Sequence, residues 1–168
     1  MQPPSRVDVE QLVMAHLAEA GVDHERGGRP GEVVATLPGE HKLRTTVSLL
    51  VGDHSLSASA FVIRHPDENA DEFHRWLLRR NARLQGIAFA TDDDGDVYLV
   101  GRLPLAAVTE ATLDALLGAI LDTADGSFDT LLAIGFLSSM KREWAWRTSR
   151  GESTRNLEAF KHLLTDDA

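Results

Sequence analysis

An acidic cluster is the clearest candidate for chemistry in the sequence. Asp92, Asp93, Asp94 and Asp96 surround Gly95 in the stretch FATDDDGDVYLVGRLPL. A helix-loop-helix calcium site needs acidic ligands at loop positions one, three and five, glycine at six and glutamate at twelve. With the glycine aligned at position six, position one is alanine and position twelve is glycine. Two essential ligands are missing, so the pattern predicts a solvated hairpin turn without a metal.

Other residue combinations that support catalysis or cofactor binding are missing too. The seven histidines form no His-Glu-x-x-His motif and no pair four residues apart. Asp71 and His74 lie three residues apart and could share a metal, but a surface pair is the simpler interpretation. There is no Gly-x-Ser-x-Gly turn, no glycine-rich phosphate loop and no cysteine. The sequence therefore predicts no catalytic residue, no cofactor site and no metal site, and a protein that is not an enzyme.

Length and charge define the broad class of protein. The chain has 168 residues, of which 43 % are hydrophobic, which is typical of a single soluble domain. Its formal net charge is −9, which argues against nucleic acid as a partner because phosphate contacts need a basic surface. The first residues lack a basic segment followed by an apolar run, and no apolar stretch reaches the roughly 20 residues of a membrane span. We therefore expect a cytoplasmic protein without a membrane partner.

A basic stretch with two tryptophans near the C-terminus is the candidate interaction surface. Residues 141–155, KREWAWRTSRGESTR, carry a charge of +3 against −12 for the rest of the chain. The candidate contact residues in it are Arg142, Trp144, Trp146, Arg147 and Arg150.

Three interpretations of Trp146 stay open. Trp144 continues an apolar helical stripe, and Trp146 points about 200° away around the same helix. Trp146 can pack under a terminal helix, or it can stack on nucleic-acid bases. It can also belong to a partner or self-association surface, because Trp and Arg are enriched at interfaces.

Apolar periodicity predicts the elements that must position these groups. Helices are expected at residues 8–20, 67–81, 109–123, 127–147 and 157–164, with Asp8 and Thr109 as N-caps of the first and third. Strands are expected at residues 32–38, 42–51, 55–64, 83–91 and 96–105, and the stretch ERGGRPGE is expected to be a loop.

The strand patterns predict the fold class. The second strand is expected to face the core with Leu43, Thr45, Val47, Leu49 and Val51. The third has small residues on its apolar face, which predicts that a helix packs closely there. Because short turns join neighbouring strands, the sheet should be mostly antiparallel, in the order β-β-β-α-β-β. Helices on one face of such a sheet make an α+β fold.

The central segment, LLRRNARLQGIAFATDDDGDVYLVGRLPLAAVTEATLDALLGAIL, resembles the YbjN family of bacterial sensory transduction regulators. Members typically show a helix ending near an Asn-Arg-like pair, an acidic Asp-Gly turn between two strands, a Leu-Pro-like step and a Thr-Glu-x-x-Leu helix. The residues that carry the resemblance here are Arg80-Asn81, Asp94-Gly95-Asp96, Leu103-Pro104-Leu105 and Thr109-Glu110 with Leu113. The order of the upstream elements matches as well, so the resemblance covers residues 8–140.

The resemblance implies a fold similar to type III secretion chaperones, often dimeric, and no catalytic residues to carry over. We expect one YbjN-like domain over residues 1–150 and a C-terminal amphipathic helical extension over residues 151–168. The expected function is a protein-interaction module, a regulatory or chaperone-like adaptor in bacterial signalling or stress response, acting as a homodimer on a protein partner. The alternative is a small-ligand or anion-binding sensor with Arg142, Arg147 or Arg150 at the mouth of its pocket.

Overall fold

A computed structural model describes residues 4–164 of the chain. Within that range the helices are α1 Arg6–Glu19, α2 Ala70–Asn81, α3 Glu110–Gly135, α4 Leu137–Ser149 and α5 Lys161–Leu164. The strands are β1 Asp23–Arg26, β2 Glu32–Pro38, β3 Arg44–Val51, β4 Ser55–Ile63, β5 Ile87–Thr91 and β6 Val97–Pro104. Short 3₁₀ turns at Leu105–Ala107 and Glu158–Phe160 come before α3 and α5. None of the helices in this part of the chain has the length and apolar character of a membrane span.

The strands form one sheet in the order β1-β2-β3-β4-β6-β5, and every neighbouring pair is antiparallel. The predicted α+β class with a mostly antiparallel sheet is therefore confirmed. The sequence patterns missed β1, whose last residues fall in a stretch expected to be a loop. Its sequence, DHER, has no apolar residue, so it gives no strand signal. It forms through backbone pairing with Val33–Thr36 at the edge of the sheet, where both faces of a short strand can stay in water.

One face of the sheet carries the core. Buried side chains alternate along the long strands and line up across the register, and one such row crosses five strands through Ala35, Val47, Ala60, Leu99 and Phe89. The buried residues of α1, α2 and α3 join these side chains in a single apolar cluster. Helix α3 contacts β4, and the small residues Ala58 and Ala60 of β4 are buried in the core.

The start of β3 differs from the prediction. Leu43 was expected on the core face, but it is 78 % exposed because the strand begins one residue later, at Arg44. Thr45 does face the core and is fully buried, and its hydroxyl oxygen has no hydrogen-bond partner among residues 4–164.

The first helix begins earlier than its sequence pattern indicates. Ser5, not Asp8, is the N-cap, and Asp8 is its partner three residues on. The Asp8 amide donates to Ser5 Oγ at 3.2 Å, and the Ser5 amide donates to Asp8 Oδ2 at 3.0 Å. Ser5 and Asp8 therefore form a capping box. Because the cap is Ser5 and not Asp8, α1 is almost one turn longer than predicted.

The long helix α3 corrects the prediction of two helices broken near residue 125. It continues through Gly126, beside which an added Cβ would meet nothing within 4 Å, because Ala124 and Ser127 carry its buried stripe onward. The break falls instead at Gly135. A Cβ there would lie 2.8 Å from the Cβ of Pro66 and 3.0 Å from the ring of Phe73, so only glycine lets these segments approach.

The last described segment is less helical than expected. The predicted helix over 157–164 is a 3₁₀ turn followed by the single turn α5. Leu157 is buried, and the ring of Phe160 lies 6.1 Å from that of Phe128 on α3. The division into a domain over 1–150 and an extension over 151–168 stays a prediction, and its residues 1–3 and 165–168 lie outside the described range.

One side chain fastens α2 to the edge strand β5. Asn81 Nδ2 donates to the carbonyl of Phe89 at 3.1 Å, and the Phe89 amide donates to Asn81 Oδ1 at 2.7 Å. The Trp76 ring packs against the Phe89 ring at 6.1 Å between centroids. Asn81 thus satisfies, from the side of α2, the two backbone groups that Phe89 turns away from β6.

Replacing Asn81 by alanine should lower the free energy of unfolding by about 1–3 kcal/mol, since a donor and an acceptor of the buried Phe89 backbone lose their partner. Urea denaturation followed by circular dichroism measures the change. Arg80→Ala is the matched control, because that exposed side chain has no described partner and its loss should cost less than about 0.5 kcal/mol. Equal destabilisation by the two variants would contradict the anchoring role of Asn81.

Candidate functional site

The predicted interaction surface lies on α4. Trp146 is 49 % exposed, and the guanidinium of Arg150 lies over its ring, 4.8 Å from the centroid. A cation over the indole face is a favourable pair at a surface. Trp144 is half-buried. The terminal segment as far as Leu164 therefore does not bury Trp146, in contrast to the interpretation in which this ring packs under the last helix.

The other two arginines of the predicted surface have partners of their own. Arg147 Nε donates to Glu143 Oε1 at 2.9 Å, and its Nη1 donates to the carbonyl of Ser153 at 3.0 Å. Arg142 donates to Ser139 Oγ at 3.2 Å. The structure thus brings Trp146 and Arg150 together as an exposed pair, whereas Arg147 ties the chain that follows α4 back to the helix.

A clasp formed by Asp67, Glu68 and Asn69 positions α4 relative to the sheet. The amides of Asp67 and Glu68 donate to the carbonyl of Gly135 at 2.9 and 3.1 Å, where α3 ends. Asn69 Nδ2 donates to the carbonyl of Ile134 at 3.0 Å. The sequence predicts a helix from residue 67, but α2 begins at residue 70 because these three residues bend to reach α3. Asn69 takes a φ of 52°, a left-handed conformation that asparagine tolerates.

The clasp also supplies the cap of α4. The two carboxylate oxygens of Glu68 accept hydrogen bonds from the amide and the hydroxyl of Ser138, both at 2.7 Å. The residue at the N-cap position of α4, Phe136, has no side-chain acceptor. Glu68, which lies outside α4, therefore accepts the hydrogen bond of an N-terminal amide for which the N-cap residue of α4 provides no acceptor.

An ion pair with Arg64 keeps the carboxyl group of Asp67 in the clasp ionised. Arg64 Nη1 and Nη2 donate to the two carboxylate oxygens of Asp67 at 2.7 and 3.0 Å. The same guanidinium lies 4.5 Å from the centroid of the Phe136 ring. The hydrogen bonds from Arg64 are the main cause that lowers the pKa of Asp67 from 3.8 to about 2.

The face of the sheet opposite the core has an apolar surface that the sequence patterns did not predict. Phe61 is 40 % exposed and Val100 is 37 % exposed. The rings of Phe61 and Tyr98 pair across β4 and β6 in an edge-on contact with centroids 5.6 Å apart. Ala88 and Ala90 extend this surface onto β5 as the cross-strand partners of Val100 and Tyr98. We call these five residues the open sheet face.

Charged groups flank the open sheet face at two ends. Lys42 Nζ lies 5.9 Å from the centroid of the Phe61 ring. At the other end, Tyr98, Val100 and Asp92 line part of a depression of about 280 Å³. Burial, followed by the charges of Asp92 and its neighbours, raises the pKa of the Tyr98 phenol. The surface therefore has an apolar centre between a cation and a group of carboxylates.

The sequence did contain a signal for this surface. In β4 the core-facing residues are Ala60 and Val62, so Phe61 stands at a position that serine occupies elsewhere in the strand. Tyr98 stands likewise between the buried Val97 and Leu99. Large apolar residues at the outward positions of an alternating strand indicate a second contact surface.

The acidic stretch forms the β5–β6 hairpin, as predicted. Asp92 Oδ1 accepts hydrogen bonds from the amides of Asp94 and Asp96 at 3.0 and 2.9 Å, and Gly95 takes a φ of 83°. Asp96 accepts the amide of His65 at 2.8 Å. The carboxylate of Asp92 thus stabilises the turn, and the carboxylate of Asp96 binds the turn to His65. Among residues 4–164 there is no group of three or more His, Asp or Glu side chains arranged to hold a metal ion.

Comparison with known proteins adds a family and a fold. The family described as "YbjN: Putative bacterial sensory transduction regulator" matches residues 10–133. The Mycobacterium bovis protein Mb0497 is 51 % identical over 137 residues, which are 82 % of this chain and 75 % of that protein. The Mycobacterium leprae protein ML2442 is 48 % identical over 135 residues, 80 % of this chain and 73 % of that protein.

Two solved complexes share the fold. A chain of the ExsC–ExsE complex matches with a TM-score of 0.55 and 22 % identity, over 75 % of this chain and 95 % of its own length. A chain of the HopA1–SchA chaperone–effector complex matches with a TM-score of 0.54 and 12 % identity, over 72 % and 93 %. The expected secretion-chaperone-like fold is therefore confirmed.

Asp67→Asn should destabilise the protein at neutral pH and have less effect in acid. Because the pKa of Asp67 is lowered to about 2 in the folded chain, its carboxylate stabilises the fold above the unfolded-state pKa near 4, and this contribution is lost as pH falls through about 2. At pH 6 the variant should lose no more than about 1 kcal/mol, since solvent screens this part-exposed pair. Urea denaturation of both proteins between pH 6 and pH 2.5 measures the difference.

Asp71→Asn is the control for this experiment, because Asp71 is exposed and has no described side-chain partner. Its difference from the native chain should stay near zero across the range. If the Asp67→Asn difference stayed constant with pH, the ion pair with Arg64 would not account for the stabilisation.

Proposed function

Because the chain belongs to the YbjN family, we propose that it is a non-enzymatic adaptor that binds a partner protein and has a regulatory or chaperone-like role in bacterial signalling or stress response. The observation that carries this proposal is the open sheet face. Phe61, Tyr98 and Val100 form a contiguous apolar surface together with two alanines, and contiguous exposed apolar surface marks interaction sites.

An antiparallel sheet can leave one face in water, and the side chains on that face are then usually polar. The neighbouring outward positions here follow this rule, since Ser57, Ser59 and Thr46 occupy them. The aromatic pair of Phe61 and Tyr98 departs from this rule. Fully burying a large apolar side chain contributes about 1.5–3 kcal/mol relative to leaving it exposed. Covering it with a partner therefore supplies a driving force for binding.

The flanking charges suggest the chemistry of the partner. An apolar segment fits over Phe61 and Tyr98, an acidic group near Lys42 and a basic group near the acidic hairpin. Charges arranged in this way fix the orientation of a bound segment more than they strengthen its binding. Trp146 and Arg150 on α4 offer a second exposed contact, so the candidate surface predicted from the sequence remains part of the proposal.

The similar structures support a protein as the partner. They are complexes of ExsC with ExsE and of HopA1 with SchA, the latter a chaperone–effector complex. We place the adaptor in the cytoplasm, and we propose that it works as a homodimer, which would present two open sheet faces to one partner and raise the effective affinity for it.

The alternative function, a small-ligand or anion sensor, is favoured by a different group of arginines from the one that the sequence suggested. Arg147 is occupied by Glu143 and by Ser153, so it is poorly placed to hold an anion. The arginines at the end of α2, Arg79 and Arg80, have no such partners among residues 4–164.

The double variant Phe61→Thr/Val100→Thr should bind the partner about tenfold or more weakly while it keeps its fold, because threonine suits an exposed strand but removes the apolar contact. The partner is first identified by reproducible co-purification with the native chain. Its affinity for each variant is then measured by biolayer interferometry, and circular dichroism checks the fold.

Val7→Gln/Leu78→Gln is the matched control, because it removes two exposed apolar side chains from the helical side of the molecule. It should leave the partner affinity unchanged. Equal weakening by the two double variants, or full affinity in the Phe61→Thr/Val100→Thr protein, would exclude the open sheet face as the binding surface.

The proposed homodimer predicts a solution mass of about twice the 18.4 kDa of one chain. Size-exclusion chromatography with light scattering at several concentrations measures it, since dissociation of a dimer depends on concentration. A mass of one chain throughout the range, up to about 100 µM, would rule the homodimer out.

A further inference from the structure

The segment from Arg75 to Thr91 has the strongest local positive charge in the chain. It carries four arginines and no Lys, Asp or Glu, so its charge is +4 and the rest of the chain has −13. This imbalance is larger than the +3 of the C-terminal basic stretch. The sequence explains part of it, because arginines near the end of α2 interact favourably with the helix dipole.

The fold gathers three of these arginines around one tryptophan. Trp76, Arg79, Arg80 and Arg83 are spaced three, four and seven residues apart, which places them on one side of the helix and of the turn that continues it. Together with Ala82 they line a depression of about 480 Å³. All three arginines are exposed, and Trp76 is half-buried.

The three guanidinium groups are among those without a carboxylate partner. In the described range, pairs form in Arg26–Glu10, Arg29–Glu32, Arg64–Asp67 and Arg147–Glu143, whereas Arg6, Arg44 and Arg102 have no side-chain partner among residues 4–164. What distinguishes the three at the end of α2 is that they line one depression together with a tryptophan. Arg79, Arg80 and Arg83 have no side-chain hydrogen bond or ion pair with any residue between 4 and 164. Helix-dipole compensation does not explain Arg83, since α2 has ended two residues before it.

The floor of the depression is held in place. The Trp76 ring packs on the buried Phe89 ring, and Asn81 bonds both backbone groups of Phe89. The turn after α2 is closed by hydrogen bonds from the amides of Arg83 and Leu84 to the carbonyls of Arg80 and Asn81. The arginines therefore project from a fixed backbone, which reduces the entropy that a ligand must remove when it binds.

We propose that this depression binds a small molecule that carries a polyphosphate group, with the guanidinium groups of Arg79, Arg80 and Arg83 on the phosphates and the Trp76 indole against a ring of the ligand. Guanidinium groups match phosphate oxygens in pairs of parallel hydrogen bonds. The half-buried indole beside them lines the depression and suits contact with a planar group such as a nucleobase. The volume lies in the usual range for small-molecule sites, about 300–1,000 Å³.

A second copy of the chain is the competing occupant. Several of its carboxylates are used within the chain, since Asp92 bonds the turn of the acidic hairpin and Asp96 bonds His65. Asp93 and Asp94 of the same hairpin have no side-chain partner among residues 4–164, so the test includes the oligomeric state.

Isothermal titration with ATP, without added magnesium and at about 50 mM salt, tests the proposal on the full chain. The native protein should bind one ATP per chain, and the affinity should fall as salt is raised, since contacts with exposed charges are screened. Arg79→Gln/Arg80→Gln/Arg83→Gln should weaken binding at least tenfold. Inorganic tripolyphosphate should bind more weakly than ATP, and Trp76→Phe should reduce that difference.

Arg44→Gln/Arg102→Gln/Arg155→Gln is the matched control, because it removes the same charge from three exposed arginines outside the depression and should leave ATP binding unchanged. Circular dichroism confirms that each variant is folded. Several results would overturn the site: no ATP binding up to 5 mM, equal weakening in the control, or binding of an oligonucleotide but not of ATP. A shift from dimer to monomer in the α2 variant, without ATP binding by the native chain, would make the depression an interface between copies.

Discussion

The close approach of α3 to the sheet is the constraint on which the rest of the structure depends. Where α3 faces β4 and β6, the sheet has small residues at neighbouring positions, Ala58, Ala60 and Gly101. A Cβ at Gly101 would lie 3.0 Å from Leu116 Cδ1 of α3 and 3.0 Å from the carbonyl oxygen of Gly86, so a larger residue would crowd the contact between the helix and the strands. Interiors are packed tightly enough that even one added carbon is felt. With α3 seated, the core closes on one side of the sheet and the opposite side stays free.

The consequences of this one-sided packing reach both ends of the molecule. Because α3 ends where Pro66 and Phe73 leave room only for glycine, the clasp residues can bond its last carbonyls and cap α4. This sets the position of Trp146 and Arg150 at the surface. On the free side of the sheet, Phe61 and Tyr98 form the apolar surface that we assign to a partner. The same packing that completes the fold thus leaves the two surfaces from which the proposed function follows.

Charge is distributed as unevenly as apolar surface. The chain is acidic, and several of its carboxylates serve the fold: Asp96 holds His65, Glu68 caps α4 and Asp67 binds Arg64. Some arginines are used in the same way, as in Arg29–Glu32 and Arg147–Glu143. Those that end α2 are not, and they gather around Trp76 in one depression, although exposed like charges contribute nothing favourable to one another.

The sequence by itself determined the fold class, the hairpin around Gly95 and the family resemblance, because alternation, turn chemistry and helix periodicity are local properties. It missed β1, since that strand exists through backbone pairing with β2 and has no apolar pattern. It also predicted a break of the long helix between residues 123 and 127, where the structure has none. Only the tertiary structure decided that Gly135 is the break, because the reason lies in two residues of a distant segment. The gathering of Arg79, Arg80 and Arg83 beside the half-buried Trp76 is decided in the same way, because the ring of Trp76 packs on Phe89 of β5.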